Sequence, residues 1–94
     1  MRTEYDPIKD AANLAQHGQS LAFGARLFDD PSHLVLPSFR LQDGEDRWKI
    51  IAQVDGRLYS AVHVWRGEVI RFISVRRSNA GEERLYHGAA GRPE

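Results

Sequence analysis

The chain has 94 residues, enough for one modest core, with 13 Lys/Arg against 13 Asp/Glu and no cysteine. The missing cysteines exclude disulfide frameworks, thiolate zinc sites and cysteine nucleophiles. No apolar run approaches the ~18 residues of a membrane span, and Met1-Arg2-Thr3-Glu4-Tyr5-Asp6 lacks the apolar stretch of a secretion signal, so a cytoplasmic protein without membrane contact is expected.

Asp6-Pro7 opens a helix over residues 7–16, with aspartate as N-cap and proline at the first helical position. Ile8, Ala11, Ala12 and Leu14 give it a short apolar stripe, and Gly18 stops it. Ser20 caps a second helix over 21–28, with Leu21, Ala25 and Phe28 on one face and Leu27 beside them; Asp29-Asp30-Pro31 ends it. Residues 34–39 read as a short strand that Pro37 confines to a sheet edge, and 42–46 as a polar loop. Strands follow over 47–54, 57–65 and 68–77, joined by an Asp55-Gly56 hairpin turn and by Arg66-Gly67. Asn79 caps a last helix over 80–87.

This order predicts an α+β fold, ααββββα: two N-terminal helices, a four-stranded mainly antiparallel sheet and a C-terminal helix. A single domain over 1–94 is expected, with an ordered core of about 4–87 and a flexible tail over 88–94.

Charge divides along the same line. Residues 1–46 carry four Lys/Arg against eight Asp/Glu, and residues 47–94 carry nine against five. Eleven of the thirteen basic residues are arginine, the side chain shaped for bidentate contact with phosphate. Sorted by the period of two, Trp48, Ile50, Ala52 and Val54 form one face of the strand over 47–54, opposite Arg47, Lys49, Ile51 and Gln53. In 57–65, Leu58, Ser60, Val62 and Val64 oppose Arg57, Tyr59, Ala61, His63 and Trp65. With the apolar faces under the helices, the second surface would carry Arg47, Lys49, Arg57, Tyr59, His63 and Trp65. Arg71 and Arg77 join it by parity, and Arg76 falls on the other face unless a bulge intervenes. Cations for phosphates and rings for bases are what single-stranded nucleic acid requires.

Five segments in order resemble the BrnT family of type II toxin–antitoxin toxins. They are Tyr5-Asp6-Pro7 with Lys9, Asn13 and His17-Gly18; Phe28-Asp29-Asp30-Pro31; Glu45-x-Arg47-Trp48; Arg71-x-Ile73-Ser74-x-Arg76-Arg77; and Glu82 or Glu83 followed by Tyr86. Gln16, Leu21 and Val75 depart from the residues usual there. The resemblance implies a RelE-like fold with helices on one side of the sheet. It implies a ribonuclease that arrests translation by cutting RNA, free or on the ribosome. It also implies a cognate antitoxin, BrnA-like and of ribbon-helix-helix type, through which alone the complex would contact DNA.

RNA can be cut without a metal, its 2′-hydroxyl attacking the adjacent phosphorus to give a 2′,3′-cyclic phosphate; fixed cations then stabilise the added charge. Arg76 and Arg77 are the first candidates for that role, against pairing with Glu82 or Glu83. Arg71 would position phosphate, against a surface ion pair. Glu45 would orient Arg47 or act as base, against an exposed salt bridge, and His63 would be a general acid or base, against a satisfied sheet histidine. Lys49, Arg57, Tyr59, Trp65 and Tyr86 would bind RNA, although Tyr86 also suits a core. The histidines at 17, 33, 63 and 87 lack metal-ligand spacing, and no glycine-rich phosphate loop is present, so neither metal nor cofactor is expected. Two other classes compete: a non-catalytic module of the same fold binding an acidic partner, and a direct DNA-binding repressor, which the sparsely basic helices disfavour.

Overall fold

The computed structural model describes residues 1–90. The elements are β1 (Arg2–Glu4), α1 (Pro7–His17), a 3₁₀ helix (Leu21–Asp29), β2 (Leu34–Pro37), a short 3₁₀ turn (Leu41–Asp43), β3 (Trp48–Val54), β4 (Arg57–Arg66), β5 (Val69–Arg77) and α2 (Ala80–Ala90). The strands form one sheet in the order β1-β5-β4-β3-β2, with β1 parallel to β5 and the other neighbours antiparallel. The fold is therefore α+β, but the sheet has five strands and is mixed. The added strand, β1, has only three residues, too few for a period-two pattern to show. Helix α2 runs through Ala90, past the expected start of the tail at 88; residues 91–94 of that tail lie outside the described residues. Among the described residues, no helix is long and apolar enough to cross a membrane.

Helix α1 begins and ends where its caps place it. Asp6 accepts a hydrogen bond from the Ile8 amide at 2.9 Å, and Gly18 takes the left-handed conformation at φ 73°. Its apolar stripe does not pack inward, however: Ile8 is 81% and Leu14 53% exposed, and the helix buries Asn13 instead. The reason is polar docking. The Asn13 amide donates to the Gln19 and Val75 carbonyls, both at 2.8 Å, and its Oδ1 accepts from the Val75 amide at 3.1 Å. One turn earlier, Asp10 Oδ1 accepts from the Leu21 amide at 2.7 Å. These bonds fix which side of the helix faces the sheet.

The second helix is 3₁₀ rather than α, and its buried residues Leu21, Gly24 and Leu27 repeat every three, not on the expected face of Leu21, Ala25 and Phe28. Gly24 lies against the Phe72 ring, where a Cβ would come within 2.5 Å of ring carbons. Leu21 and Leu27 join Ile50, Ala52, Ala61, Ile70, Phe72 and Val75 in the main core, between this helix and one face of the sheet. A smaller cluster of Ile51, Leu58 and Tyr86, flanked by Leu34 and Leu36, lies under α2. Register puts Ile51 and Leu58 on the opposite face from Ile50 and Ala52. The helices thus lie on both sides of the sheet, not on one.

Pairing also reverses the expected face of β4. Asp55 (φ 51°) and Gly56 (φ 80°) make a two-residue turn that pairs Val54 with Arg57. Tyr59 then lies opposite Ala52, Ala61 opposite Ile50 and His63 opposite Trp48. Tyr59 and His63 therefore share the helix-packed face and are 6% and 1% exposed. Both parities of 57–65 carry apolar residues, so alternation alone had no means of choosing between them.

In β5 a bulge intervenes. Val62 pairs with Ser74 and His63 with Phe72, leaving Ile73 as the extra residue. Parity inverts there, so Arg71, Ser74 and Arg76 face one way while Phe72, Val75 and Arg77 face the other. Gly24→Ala is expected to lower stability by about 1–3 kcal/mol through overpacking against Phe72. A thermal unfolding midpoint equal to that of the unaltered chain would contradict this close approach.

Candidate nucleic-acid interface and active site

The sheet face carrying Arg71 and Arg76 is only partly covered by α2. Lys49, from β3, shares it, as do Ser60 and Val62 of β4. Arg47, just before β3, borders a cleft of ≈ 360 Å³ lined by Ser38, Arg40, Arg47, Val62, Ile73 and Ser74. Four of the expected site residues thus meet on one surface: Arg47, Lys49, Arg71 and Arg76.

At one end of this face, Glu82 gathers two of the cations. Its carboxylate accepts from Arg76 Nη1 and Nη2 at 2.7 and 2.8 Å, from Lys49 Nζ at 3.0 Å and from the Asn79 amide at 2.9 Å. Asn79 Oδ1 in turn accepts from the Glu82 amide at 2.8 Å, a reciprocal capping box that starts α2. Burial pushes the Glu82 carboxyl up, but these donors prevail and bring its pKa down to about 2. Beside this network the Ser60 and Ser78 hydroxyls meet at 2.8 Å.

Further along, Arg71 Nη1 lies 3.4 Å from Glu4 Oε1, a contact supplied by β1. Glu45 does not orient Arg47; it lies 3.7 Å from Arg66. The carboxylate beside Arg47 is Asp43, which binds Arg40 at 2.9 and 3.0 Å and stands 3.4 Å from Arg47 Nε. That Nε is buried and has no hydrogen-bond partner. Among the described residues, the cations Arg40, Arg47, Lys49, Arg66, Arg71 and Arg76 of this face pair with the carboxylates Glu4, Asp43, Glu45 and Glu82, six positive charges against four negative.

The remaining expected site residues lie elsewhere. His63 is packed between the Phe28 and Phe72 rings, at 5.3 and 6.2 Å, and burial pushes its pKa below the usual histidine range. An imidazole enclosed on this side cannot reach RNA on the other face. Arg77 sits over the Tyr59 ring at 5.5 Å, and Tyr59 packs edge-on against Phe23. Arg57 lies at the hairpin end and half-exposed Trp65 opposite Ile70, both on the helix-packed side. Tyr86 is a core residue that donates to Asp30 Oδ2 at 2.7 Å; burial and that bond push its pKa up to about 12. Asp30 also accepts from the Gln53 amide at 2.8 Å, joining the 3₁₀ helix, β3 and α2. The sequence offers Glu82 as a competitor for the arginines and as part of the closing-helix segment, and does not single out Asp43. The Asn79-x-x-Glu82 capping box was the available signal for the first; the second has none.

Glu82 makes stability pH-dependent. Its folded pKa lies below the ordinary 4.5, so its contribution is complete above about pH 4.5 and lost as pH falls toward 2. Glu82→Gln is expected to destabilise the protein at neutral pH, with the gap to the unaltered chain narrowing as pH falls through that window. Denaturant unfolding at stepped pH measures it; a gap independent of pH would contradict the carboxylate's role.

Comparison with curated proteins gave no match. A family model described as "Ribonuclease toxin, BrnT, of type II toxin-antitoxin system" matches residues 5–82. The matched segment takes in β2 to β5 and ends on Glu82, and so includes the whole cationic face. A toxin of this type acts as a ribonuclease and is neutralised by a cognate antitoxin. The chain therefore belongs to the BrnT family of ribonuclease toxins of type II toxin–antitoxin systems.

Proposed function

We propose that the face bearing Arg71, Arg76 and Lys49 is the RNA-cleaving surface, and that cleavage proceeds by 2′-hydroxyl attack without a metal. The observation that carries this is the placement of Arg76. The Ile73 bulge turns it onto the open face, and Glu82 holds its guanidinium by both terminal nitrogens while a third of the side chain stays exposed. A cation fixed in this way needs no reorganisation as charge builds on the phosphorane. Lys49, on the same carboxylate, adds a second cation and has a proton to give the departing 5′ oxygen. Arg71 takes a flanking phosphate in exchange for Glu4. The nucleophile is RNA's own 2′-hydroxyl: as its oxygen bonds to phosphorus and the bond to the 5′ oxygen breaks, its proton passes to solvent water. Among the described residues, no group of three or more His, Cys, Asp or Glu could hold a metal ion.

In the cell this activity would stop translation by cutting RNA in the cytoplasm, free or on the ribosome. Helices α1 and α2 carry few cations, Lys9 in one and Arg84 beside Glu82 and Glu83 in the other. DNA contact is accordingly assigned to the antitoxin, of ribbon-helix-helix type, and not to this chain.

The two adjacent arginines separate this reading from its rivals. Arg76→Lys keeps a charge beside Glu82 but loses the bidentate grip, and is expected to reduce the RNA cleavage rate by roughly 10²–10³-fold. Arg77→Ala, on the Tyr59 side, is expected to cleave at nearly the normal rate. Cleavage of a defined RNA by purified protein, with folding checked by circular dichroism, gives both values. An Arg77→Ala variant as impaired as Arg76→Lys would overturn the face assignment. Intact RNA with the unaltered protein, on and off ribosomes, would leave a binding module instead.

A further inference from the structure

The cleft at the other end of the open face has features that cleavage at Arg76 does not use. Arg40 and Arg47 converge on one carboxylate, Asp43, so two positive charges meet one negative. Arg47 is mostly buried, its side chain 17% exposed, and its enclosed Nε stands 3.4 Å from Asp43 Oδ2 without making a hydrogen bond. A buried N–H left with an ion-pair contact but no hydrogen bond is costly, and a phosphate oxygen in place of the Asp43 carboxylate would satisfy it. Arg40 stands on the rim with its side chain 58% exposed, and Ser38 and Ser74 add hydroxyls to the lining. The turn carrying Asp43 has no apolar anchor: Leu41, on the same turn, is fully exposed. The Asp43 amide donates to the Arg40 carbonyl at 3.1 Å, and ion pairs with Arg40 and Arg47 hold its carboxylate. Ser74 is two residues from Arg76 on β5, about 7 Å along the strand, comparable with one nucleotide of an extended chain.

We propose that the Arg40–Arg47 cleft is a second phosphate subsite. It seats the strand one linkage from the bond cleaved beside Arg76, and Asp43 is the resident counter-ion that this phosphate displaces. The proposal rests on the reading that RNA lies along the open face. It adds a length requirement: a substrate with a second phosphate on the cleft side is favoured over one with a single linkage.

Two measurements test it. The first is the salt dependence of binding to an all-2′-deoxy single strand, which lacks the nucleophile and stays intact. Losing one phosphate contact lowers the slope of log K against log salt by about 0.7. Arg40→Ala, a rim substitution that spares the fold, and Arg47→Ala are each expected to weaken binding and flatten the slope. Asp43→Asn is expected to bind more tightly than the unaltered chain. The second is kcat/KM for a dinucleoside monophosphate against the same compound extended by one phosphate at either end. The unaltered chain is expected to gain from one extension, and Arg40→Ala to lose that gain. Folded Arg40→Ala and Arg47→Ala variants with an unchanged slope, or Asp43→Asn with no gain in affinity, would overturn the subsite. Deoxy-strand binding that responds to these variants, in a chain that cleaves neither substrate, would uphold the subsite and overturn the cleavage reading.

Discussion

Ile73 has no partner on β4, and this one unpaired residue decides which way the cations of β5 point. In a regular strand Arg71 and Arg77 would share a face and Arg76 would turn from them. With the extra residue between Phe72 and Ser74, Phe72 still enters the main core while Arg71 and Arg76 come out together on the other side. The bulge lies next to the docking point of α1, where the Asn13 side chain bonds both the amide and the carbonyl of Val75. An asparagine buried in the first helix therefore braces the strand just past its irregularity. Bulges beside functional sites commonly re-aim a side chain in this way.

The second constraint is the Glu82 carboxylate. It begins α2 through Asn79, pins Arg76 and Lys49, and stays ionised in a nearly closed position because four donors surround it. Removing either cation would leave much of a buried charge uncompensated, so the helix end and the cationic face are one unit. Asp43 plays a similar part at the cleft, where one carboxylate serves two guanidiniums on a turn that buries no residue. The two ends of the face thus differ in setting: Glu82 belongs to a helix cap, and Asp43 to a short turn.

Much of the architecture is written locally. Asp6-Pro7 and Gly18 bound α1, Pro37 falls on the edge strand β2, Asp55-Gly56 makes the hairpin, and Asn79 caps α2. Each depends on backbone conformation or on a bond spanning a few residues, which sequence states directly. The period-two pattern failed where both parities were apolar: it turned Tyr59 and His63 outward, although the hairpin register sends them into the core. Helical periodicity failed on α1, where Ile8 and Leu14 outline a stripe but Asn13 and Asp10 make the bonds that orient the helix. Of the expected site, Arg47, Lys49, Arg71 and Arg76 share the open face, while Arg57, Tyr59, His63, Trp65 and Arg77 lie on the main-core side and Tyr86 reaches from α2 into the smaller cluster.

By itself the sequence determined the class of the fold, most of its caps and turns, the basic character of the second half and, through the ordered segments, the ribonuclease-toxin family. These follow from composition, short-range bonds and residue order. Only the tertiary structure decided which arginine faces the open surface, which carboxylates hold the cations, and that His63 is a core residue. Each of those turns on a register or on a partner distant in sequence: Val62 with Ser74, Glu82 with Lys49, Asn13 with Val75. One unpaired residue reverses a strand's faces, and its position is set by pairing across the sheet, not by the strand's own residues.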